Sequence, residues 1–406
     1  MRAGPTARVA TLGPVAERGP DSRPLKIVVA SIGPFVGGAE IAAERLALGL
    51  SQAGHAVTVI LGHRNAVWER MRAAGLRCLY TPLPLTDKRQ PLRTLASRAK
   101  LWALVRREDP DLLHANDLPT HQAVSWVARA AGVPVICHHR FPFDGKAIDW
   151  LNKHGADRHI FISNALMKEM TGESSRLAAA PRSVVHDGLP LPPLPSDEDC
   201  VRHRRKLGLP AEKILVLFAG QLIPIKGVAD LVEAWSNLNP ALLARAELLI
   251  VGEDMHQQGA YREAMQDLSL RLGCPARFVG FRSDVADWIT ASDIVVVPSR
   301  IEPLGLVVME AMAAGRPVVG SEVGGIPEML RHEETGLLVA PRSPGLLSEA
   351  LARLIAEPNL RARFGERGRA RCQAHFSLDT HVAAVVREYE TVLRARSGMA
   401  HGLAPR

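Results

Sequence analysis

Two carboxylates flank a glycine in the segment from Pro298 to Gly315, where a strand gives way to a helix. The strand ends near Pro298, and Glu302 lies in the loop that follows. The helix begins near Gly305, and Glu310 lies about one and a half turns into it. The N–H groups of a helix start suit a phosphate, and the two carboxylates can accept hydrogen bonds from a sugar and a ribose hydroxyl. The alternative is an acid near a helix start and an exposed helix residue, and the spacing alone leaves both open.

A lysine lies in a second loop of the same half of the chain. Residues 219–227 read AGQLIPIKG, directly after an apolar strand, so that Lys226 is a point cation at a strand-to-helix loop. Phosphate groups bind at such loops, and lysine is a common partner for them. The alternative is a solvated surface lysine, and the flanking motif favours the phosphate role.

Two polar regions follow strands in the N-terminal half. Gly37 and Gly38 precede Glu40, whose charge is favourable in the first turn of a helix, although a plain turn explains a glycine pair equally well. Further on, His139 and Arg140 end one strand, and His114-Ala115-Asn116-Asp117 ends another. We expect at least one of His139 and Arg140 to have an active-site role, the alternative being ordinary polar residues at strand ends. No ligand spacing supports a zinc site at the adjacent histidines.

Strands and helices alternate through both halves of the chain, which positions these loops. The N-terminal half has short apolar strands at 25–30, 55–61, 112–114, 134–137 and 159–163. The C-terminal half has them at 214–219, 246–251, 277–281, 294–298, 317–320 and 336–339. The alternation predicts α/β domains with doubly wound parallel sheets, in which ligands bind at the carboxyl ends of the strands.

The composition limits the function classes. Of 406 residues, 47% are hydrophobic and 23% charged, which is typical of a folded soluble protein. The net charge of +8 favours an anionic partner, whereas 4% aromatic residues argue against nucleic acid. Five scattered cysteines without a CxxC pair predict reduced thiols in the cytosol. The sequence predicts neither a signal peptide nor a membrane-spanning helix.

The C-terminal motifs resemble a known family. Glu302, Glu310, the following AMAAGRPVVG and the segment Gly324-Gly325-Ile326-Pro327-Glu328 resemble the signature of retaining glycosyltransferase family 4, the glycosyl transferases group 1. The resemblance covers roughly residues 25–395 and implies the GT-B fold, with two Rossmann-like domains facing across a cleft. It implies transfer of a sugar from a nucleotide diphosphate sugar, with retention at the anomeric carbon and with neither a metal nor a further cofactor.

The resemblance also implies roles for individual residues. Glu302 would lie against the donor sugar hydroxyls, and Glu310 would hold the ribose hydroxyls. Leu304 stands where the family usually has Phe, which we interpret as a packing change. The diphosphate would bind to the backbone of Gly305, Leu306 and Val307.

The phosphate-binding loop departs from the family at one position. The family pattern is Gly-Arg, four residues, then Lys-Gly; here Lys226 is kept and Gln221 replaces the arginine. Because glutamine brings no charge, the rate and the identity of the donor are in question. Arg282, in VGFRSD, is a cation that could compensate. The loop at Gly37 and Gly38 resembles the family loop that lies over the donor phosphates.

Three more departures lie in the N-terminal half. Asn116 replaces the second histidine of a His-Ala-His-Asp segment. Arg140, with His139 beside it, stands where the family often has a strand-end histidine near the donor sugar. Asp187 replaces the asparagine of an Asn-Gly-Val-Asp turn. In the C-terminal half, the loop at Gly252 resembles the one that the base approaches.

We expect a division into a flexible tail, two domains, a linker and a returning helix. The tail is 1–24, the acceptor-side domain 25–189, the linker 190–210, the donor-binding domain 211–375, and the C-terminal helix, packing toward the N-terminal domain, 376–395.

The expected protein is a retaining hexosyltransferase acting on a glycan or lipid-linked acceptor in polysaccharide or glycolipid synthesis. It would be cytoplasmic or peripheral on the inner face of the membrane. The alternatives are a nucleotide sugar epimerase of the same architecture and a non-catalytic nucleotide-sugar-binding subunit, the latter motivated by Gln221.

A basic segment with interspersed apolar residues spans 88–107. Its cations are Lys88, Arg89, Arg93, Arg98, Lys100, Arg106 and Arg107, and its apolar residues are Leu92, Leu95, Leu101, Trp102 and Val105. The favoured interpretation is a helix with its apolar face in the core and a solvated basic face; docking on an anionic membrane is the alternative.

Overall fold

The computed structural model describes residues 23–33, 36–83, 85, 89, 91–143, 145–254 and 257–401. The predicted tail up to residue 22, and Lys88 of the basic segment, lie outside these ranges. The chain divides into two compact units. The first takes in the described residues up to Pro190 and those from Ser377 on; the second is Leu191–Phe376.

Seven strands of the described residues form a parallel sheet in the first unit, in the order β3-β2-β1-β4-β5-β6-β7. They are β1 Lys26–Ser31, β2 Ala56–Leu61, β3 Arg77–Tyr80, β4 Leu112–Ala115, β5 Val135–His139, β6 Arg158–Phe161 and β7 Arg182–Val184. The central strands are buried almost throughout, as expected for a sheet covered on both faces.

Helices cover both faces of this sheet. They are α1 Gly38–Gln52, α2 Ala66–Ala73, α3 Pro91–Glu108, α4 Leu118–Ala131, α5 Gly145–Lys153, α6 Asn164–Gly172, α7 Ser175–Ala179 and, from the end of the chain, α17 Leu378–His401. One core lies between the sheet and α1, α2 and α17, where Val385 and Tyr389 are fully buried; another lies on the side of α3 and α4. The last helix is therefore part of the first unit.

The second unit has a parallel sheet of six described strands, in the order β10-β9-β8-β11-β12-β13. They are β8 Ile214–Ala219, β9 Ala246–Val251, β10 Arg277–Gly280, β11 Ile294–Val297, β12 Val318–Ser321 and β13 Gly336–Val339. The helices are α8 Asp197–Leu207, α9 Val228–Ser236, α10 Pro240–Arg245, α11 Ala260–Arg271, α12 Val285–Ala291, α13 Leu306–Ala313, α14 Ile326–Met329, α15 Pro344–Ala356 and α16 Pro358–His375.

The predicted linker 190–210 is helical over α8, which corrects that interpretation. Ser196 accepts from the backbone N–H of Asp199, and the Asp199 carboxylate accepts from that of Ser196, which closes a capping box. Acidic residues fill the first turn and basic residues the last, as the helix dipole favours. The acidic-then-basic pattern is thus a helix signal.

No helix within the described ranges is both long and apolar enough to cross a membrane.

Candidate functional site

Lys226 and Glu302 meet at the carboxyl edge of the second sheet. Lys226 ends a short 3-10 turn after β8, and Glu302 lies in the loop after β11, the strand that pairs with β8. The Lys226 Nζ lies 2.7 Å from the Glu302 Oε2, and the Ser299 hydroxyl donates to the same oxygen at 3.1 Å. Both charged side chains are mostly buried but remain solvent-accessible, at 24% and 13%. A cation and a carboxylate are therefore held together where both can meet a ligand.

Glycine brings the two loops into backbone contact. Gly227 has φ of 71°, and a Cβ there would lie 1.9 Å from the carbonyl oxygen of Pro298. The backbone N–H of Arg300 donates to the carbonyl of Ile225 at 2.7 Å. Only glycine fits this approach, which fixes Lys226 against the loop that carries Glu302.

An ion pair that sequence reasoning missed joins the same loops. The Arg300 guanidinium donates to both carboxylate oxygens of Asp230, at 2.8 and 2.6 Å, and Asp230 lies in the first turn of α9. A bidentate pair fixes direction as well as distance. The sequence does show Arg300 two residues before Glu302 and Asp230 three residues after Gly227, but nothing in it indicates that the two form a pair.

Helix α13 begins beside Glu302. Its N-cap, Gly305, has φ of 102°, and a Cβ there would lie 3.6 Å from the Cγ of Glu302. Leu306 and Val307 start the helix and, like Glu310 further along it, are half-buried. The first N–H groups of a helix have no acceptor within the helix, so this end can bind an anion. The structure thus brings Lys226, Glu302 and the helix start together.

A third loop holds Glu302 from its backbone side. Gly324 has φ of 53°, and a Cβ there would lie 1.9 Å from the carbonyl oxygen of Glu302. The Gly325 N–H donates to that same oxygen at 3.0 Å. The glycine pair of the sequence motif is therefore a close backbone contact that sets the position of Glu302.

Gln221 and Arg282 lie in other loops. Gln221 is exposed after β8. Arg282 follows β10, two strands from β8, and donates to both carboxylate oxygens of Asp284 at 2.9 and 2.8 Å. This hydrogen-bonded pair holds the pKa of Asp284 below its ordinary value. The charge of Arg282 is therefore shared with a carboxylate, and its compensation for Gln221 stays a prediction.

The loop after β9 is also closely packed. Gly252 has φ of 148°, and a Cβ there would lie 1.8 Å from the carbonyl oxygen of Gly220. The Arg262 guanidinium donates to the Glu253 carboxylate at 2.8 Å. The loops after β8 and β9 thus form one surface, with a charged pair at its border.

In the first unit, Gly37 is the N-cap of α1 and Gly38 its first residue. The Gly37 N–H donates to the Glu40 carboxylate at 3.0 Å. Burial raises the pKa of Glu40, against the effect of these backbone hydrogen bonds. The glycine pair therefore forms the start of α1, and Glu40 caps this start by accepting the Gly37 N–H.

His139 and Arg140 lie in the interior of the first unit, with 0% and 2% of their surface exposed. The His139 Nε2 lies 2.9 Å from the His159 Nδ1, and its ring stacks on Phe161. Arg140 forms an ion pair with Asp187 at 2.7 Å. Neither side chain reaches solvent in this conformation, so a direct contact with a substrate stays a prediction.

Buried histidines line both faces of the first sheet. Burial lowers the pKa of His114 and of His159 to about 3, and that of His121 to about 4, so these rings are neutral at physiological pH. The His114 Nδ1 lies 2.9 Å from the Tyr389 hydroxyl. Histidine here serves as a buried neutral hydrogen-bonding group.

One group of described residues could hold a metal ion. Ligand atoms of Cys137, His139 and His159 lie within 4.8 Å of one another, all buried. The neighbouring strands β5 and β6 bring them together, which spacing along the chain does not reveal. The hydrogen bond between the two imidazoles occupies the Nε2 of His139 and the Nδ1 of His159, whereas the Nδ1 of His139 is buried without a hydrogen-bond partner.

Two family models match the chain, one over each half. The model described as Glycosyltransferase Family 4 matches residues 36–191, and the one described as Glycosyl transferases group 1 matches residues 201–371. The two matched ranges contain the glycine loop and the Lys226–Glu302 pair, respectively.

Curated relatives include several glycosyltransferases. A D-inositol 3-phosphate glycosyltransferase from Streptomyces scabiei is 35% identical over 219 residues, which are 52% of this chain and 49% of the relative. An uncharacterized glycosyltransferase from Methanocaldococcus jannaschii is 26% identical over 387 residues, 88% of this chain and 95% of the relative. The chain thus spans about half the length of the Streptomyces relative.

Solved structures share the fold over most of the chain. HepE of Anabaena, crystallised with UDP and glucose, has a TM-score of 0.79 at 22% identity and covers 90% of this chain and 99% of its own. A glycosyltransferase from Rickettsia africae has a TM-score of 0.80 at 18% identity, covering 92% and 99%. The predicted GT-B class, with two parallel α/β sheets, is confirmed. The chain belongs to the group 1 glycosyl transferases, the family that its C-terminal motifs resemble.

Proposed function

We propose that this protein transfers a sugar from a nucleotide diphosphate sugar to a hydroxyl acceptor, with retention at the anomeric carbon. The observation that carries the proposal is the Lys226–Glu302 ion pair of 2.7 Å beside the start of α13. The arrangement offers a cation and backbone N–H groups for a diphosphate, and a carboxylate for hydroxyls, at one sheet edge.

Each of these groups has one task in the proposed reaction. The diphosphate binds at the first N–H groups of α13, from Gly305 to Val307, with Lys226 beside it. Glu302 accepts hydrogen bonds from the donor sugar, and Glu310 accepts them from the ribose. Binding exchanges the Lys226–Glu302 contact for contacts with the ligand, so the resting ion pair keeps both charges placed until a donor arrives.

The chemistry needs no protein nucleophile. The bond between the anomeric carbon and the β-phosphate oxygen breaks, and the acceptor oxygen bonds to that carbon on the same face. The leaving phosphate takes the acceptor proton, which balances the step. Lys226 and the α13 amides stabilise the charge that develops on the diphosphate, so the proposed transfer is metal-independent. Retention by this route differs from the two-carboxylate mechanism of many glycosidases.

The acceptor proposed is a glycan or a lipid-linked sugar in cell-surface polysaccharide or glycolipid synthesis. Among structural neighbours is WaaG, a glycosyltransferase of lipopolysaccharide biosynthesis, with a TM-score of 0.64. UDP-sugars are the first donors to test because HepE was crystallised with UDP. The net charge of +8 is compatible with a phosphorylated acceptor as well as with the donor.

Glu310→Ala tests the donor site. We expect it to weaken binding of the accepted donor by about 10-fold or more, because a buried ribose hydroxyl loses a charged partner. Calorimetry against UDP-, GDP- and ADP-sugars identifies the donor first, and Glu349→Ala, an exposed acid on α15, is the control. Equal affinities for Glu310→Ala and its parent would place the ribose elsewhere, and absence of any binding would end the proposal.

A non-catalytic nucleotide-sugar-binding subunit is the second candidate, and the exposed, uncharged Gln221 favours it. It predicts donor binding without transfer to any acceptor and without hydrolysis. A new sugar formed from UDP-N-acetylglucosamine alone would instead indicate an epimerase. The transfer assay with a panel of hydroxyl acceptors separates all three.

An exposed apolar and basic surface on α3 supports the proposal of peripheral docking. Leu101 and Val105 are buried as the core-facing interpretation requires, but Leu92, Leu95 and Trp102 are exposed, at 81%, 59% and 40%. The core-facing interpretation therefore holds for the two buried residues but not for the three exposed ones. The helix carries five cations and one acid, so its exposed apolar side chains lie among positive charges. An apolar surface bordered by cations is suited to an anionic bilayer.

Leu92→Asp combined with Leu95→Asp tests this docking. We expect the parent to co-sediment with phosphatidylglycerol vesicles and the double variant to lose about 10-fold or more of that binding, because two buried apolar contacts become charged. Leu270→Asp, an exposed leucine of the second unit at 67%, is the control. Binding that is equal in the parent and the double variant, or absent in the parent, would remove the proposal.

A further inference from the structure

Three departures from the family pattern are in direct contact. Asn116 follows β4, Arg140 follows β5, and Asp187 lies three residues beyond β7. The sequence separates them by 24 and 47 residues, but the parallel sheet brings the carboxyl ends of their strands to one edge. All three are buried, each with no more than 3% of its surface exposed. The three departures therefore form one buried cluster at this edge of the sheet.

Arg140 is the centre of this contact. Its Nε donates to the side-chain oxygen of Asn116 at 2.9 Å and to the backbone carbonyl at 3.0 Å. Its Nη1 donates to both carboxylate oxygens of Asp187 at 2.7 Å. A buried guanidinium without Asp187, or a buried carboxylate without Arg140, would be an uncompensated charge. The two charged residues therefore require each other.

Asn116 extends the contact to the glycine loop. Its amide nitrogen donates to the carbonyl of Ala39 at 3.0 Å, in the first turn of α1 directly after Gly37 and Gly38. The residue between Arg140 and Ala39 must accept on one side and donate on the other, and the asparagine amide does both. Successive hydrogen bonds thus connect the segment after β7 to the start of α1, through Asp187, Arg140, Asn116 and Ala39.

The charge of Arg140 also acts on the acids around the loop. Burial raises the pKa of Glu40 and of Asp117, and the nearby guanidinium of Arg140 opposes both shifts. Glu40 closes the start of α1 through the Gly37 N–H. Removing Arg140 would therefore loosen the loop through Asn116 and disfavour the ionised form of the glutamate that caps it.

We infer that Asn116, Arg140 and Asp187 act as one unit that holds the Gly37–Gly38 loop in place, with Arg140 as a positioning residue for the donor. The donor part rests on the proposed function and on the resemblance of this loop to the family loop that lies over the donor phosphates. Arg140 touches no substrate in this role; it fixes Asn116, which fixes the helix start. The stability part concerns the first unit alone and does not require an activity.

The stability experiment compares single with combined replacements. Arg140→Met and Asp187→Asn each leave a buried charge or hydrogen-bonding group without its partner, and we expect each to lower the melting temperature by at least about 6 °C. The triple variant Asn116→His, Arg140→His and Asp187→Asn installs the three family residues together and should recover at least half of the loss. A triple variant no more stable than Arg140→Met would overturn the inference that the residues act as a set.

The donor experiment separates positioning from general stability. Arg158 forms an ion pair with Glu388 of α17 in the same unit, so Arg158→Met is the matched control. At a temperature where both variants are folded, we expect Arg140→Met to raise the donor KM by about 10-fold or more, and Arg158→Met to leave it within about 2-fold. Arg140→Lys, which keeps the charge but not the planar fork, should fall between Arg140→Met and the parent.

Equal donor KM values for Arg140→Met and Arg158→Met would overturn the positioning role. If the parent binds no nucleotide sugar at all, the proposed function fails and the positioning role with it. In that case the melting temperatures of the single and triple variants still decide whether the three residues form one unit.

Discussion

We expect Lys226→Ala to lower kcat for the proposed sugar transfer by about 100-fold, with a smaller change in donor KM. The ammonium group lies 2.7 Å from Glu302 and beside the helix start that would receive the diphosphate. When the glycosidic bond breaks, negative charge accumulates on the leaving phosphate. Removing the ammonium group therefore costs more stabilisation in the transition state than in the complex with the bound donor. Gln221 supplies no charge in the same loop, which increases the dependence on Lys226.

The measurement is steady-state kinetics with saturating acceptor and the donor identified by calorimetry. Lys206→Ala is the matched control, since Lys206 is a lysine of the same unit that forms an exposed ion pair with Asp287. A surface pair contributes little, and this control should retain full activity. Lys226→Arg keeps the charge on a larger head group and should recover part of the lost rate. A Lys226→Ala variant with the parent kcat would show that another group stabilises the leaving phosphate.

The sequence predicts the parts of this site that lie next to strands. The sequence marks Lys226 and Glu302 because each follows an apolar strand, and parallel strands end at a common sheet edge. It marks Gly305 because a glycine stands where a loop turns into a helix. These features depend on neighbours in the chain, which a linear pattern records.

Contacts between distant segments were not predictable in this way. Arg300 and Asp230 are 70 residues apart, and nothing local distinguishes this pair from any other arginine and aspartate. The same is true of Arg140 and Asp187, whose interpretation as separate strand-end residues missed their ion pair. Helical spacing likewise predicts that Leu92 and Leu101 both face the core, although only Leu101 of the two is buried.

The glycines next to Glu302 lead to a second large effect. Gly324→Ala should destabilise the second unit by about 2–5 kcal/mol, since a left-handed backbone costs an alanine 1–2 kcal/mol and overpacking adds about 1–3. The new Cβ would lie 1.9 Å from the carbonyl oxygen of Glu302. That oxygen also accepts the Gly325 N–H, so the loop carrying the carboxylate has to move.

The displacement should reduce activity further than the stability loss alone, because Glu302 must lie where it can accept hydrogen bonds from the donor sugar in the proposed reaction. A shift of about 1 Å in a positioned group can cost about 100-fold in rate. Gly345→Ala is the control: Gly345 lies in the first turn of α15, and a Cβ there meets nothing within 4 Å. It should leave activity unchanged and stabilise slightly, since alanine favours helices. If Gly324→Ala melts with the parent and keeps its kcat, the glycine loop does not set the position of Glu302, and the ion pair must be held by the β8 and β11 loops alone.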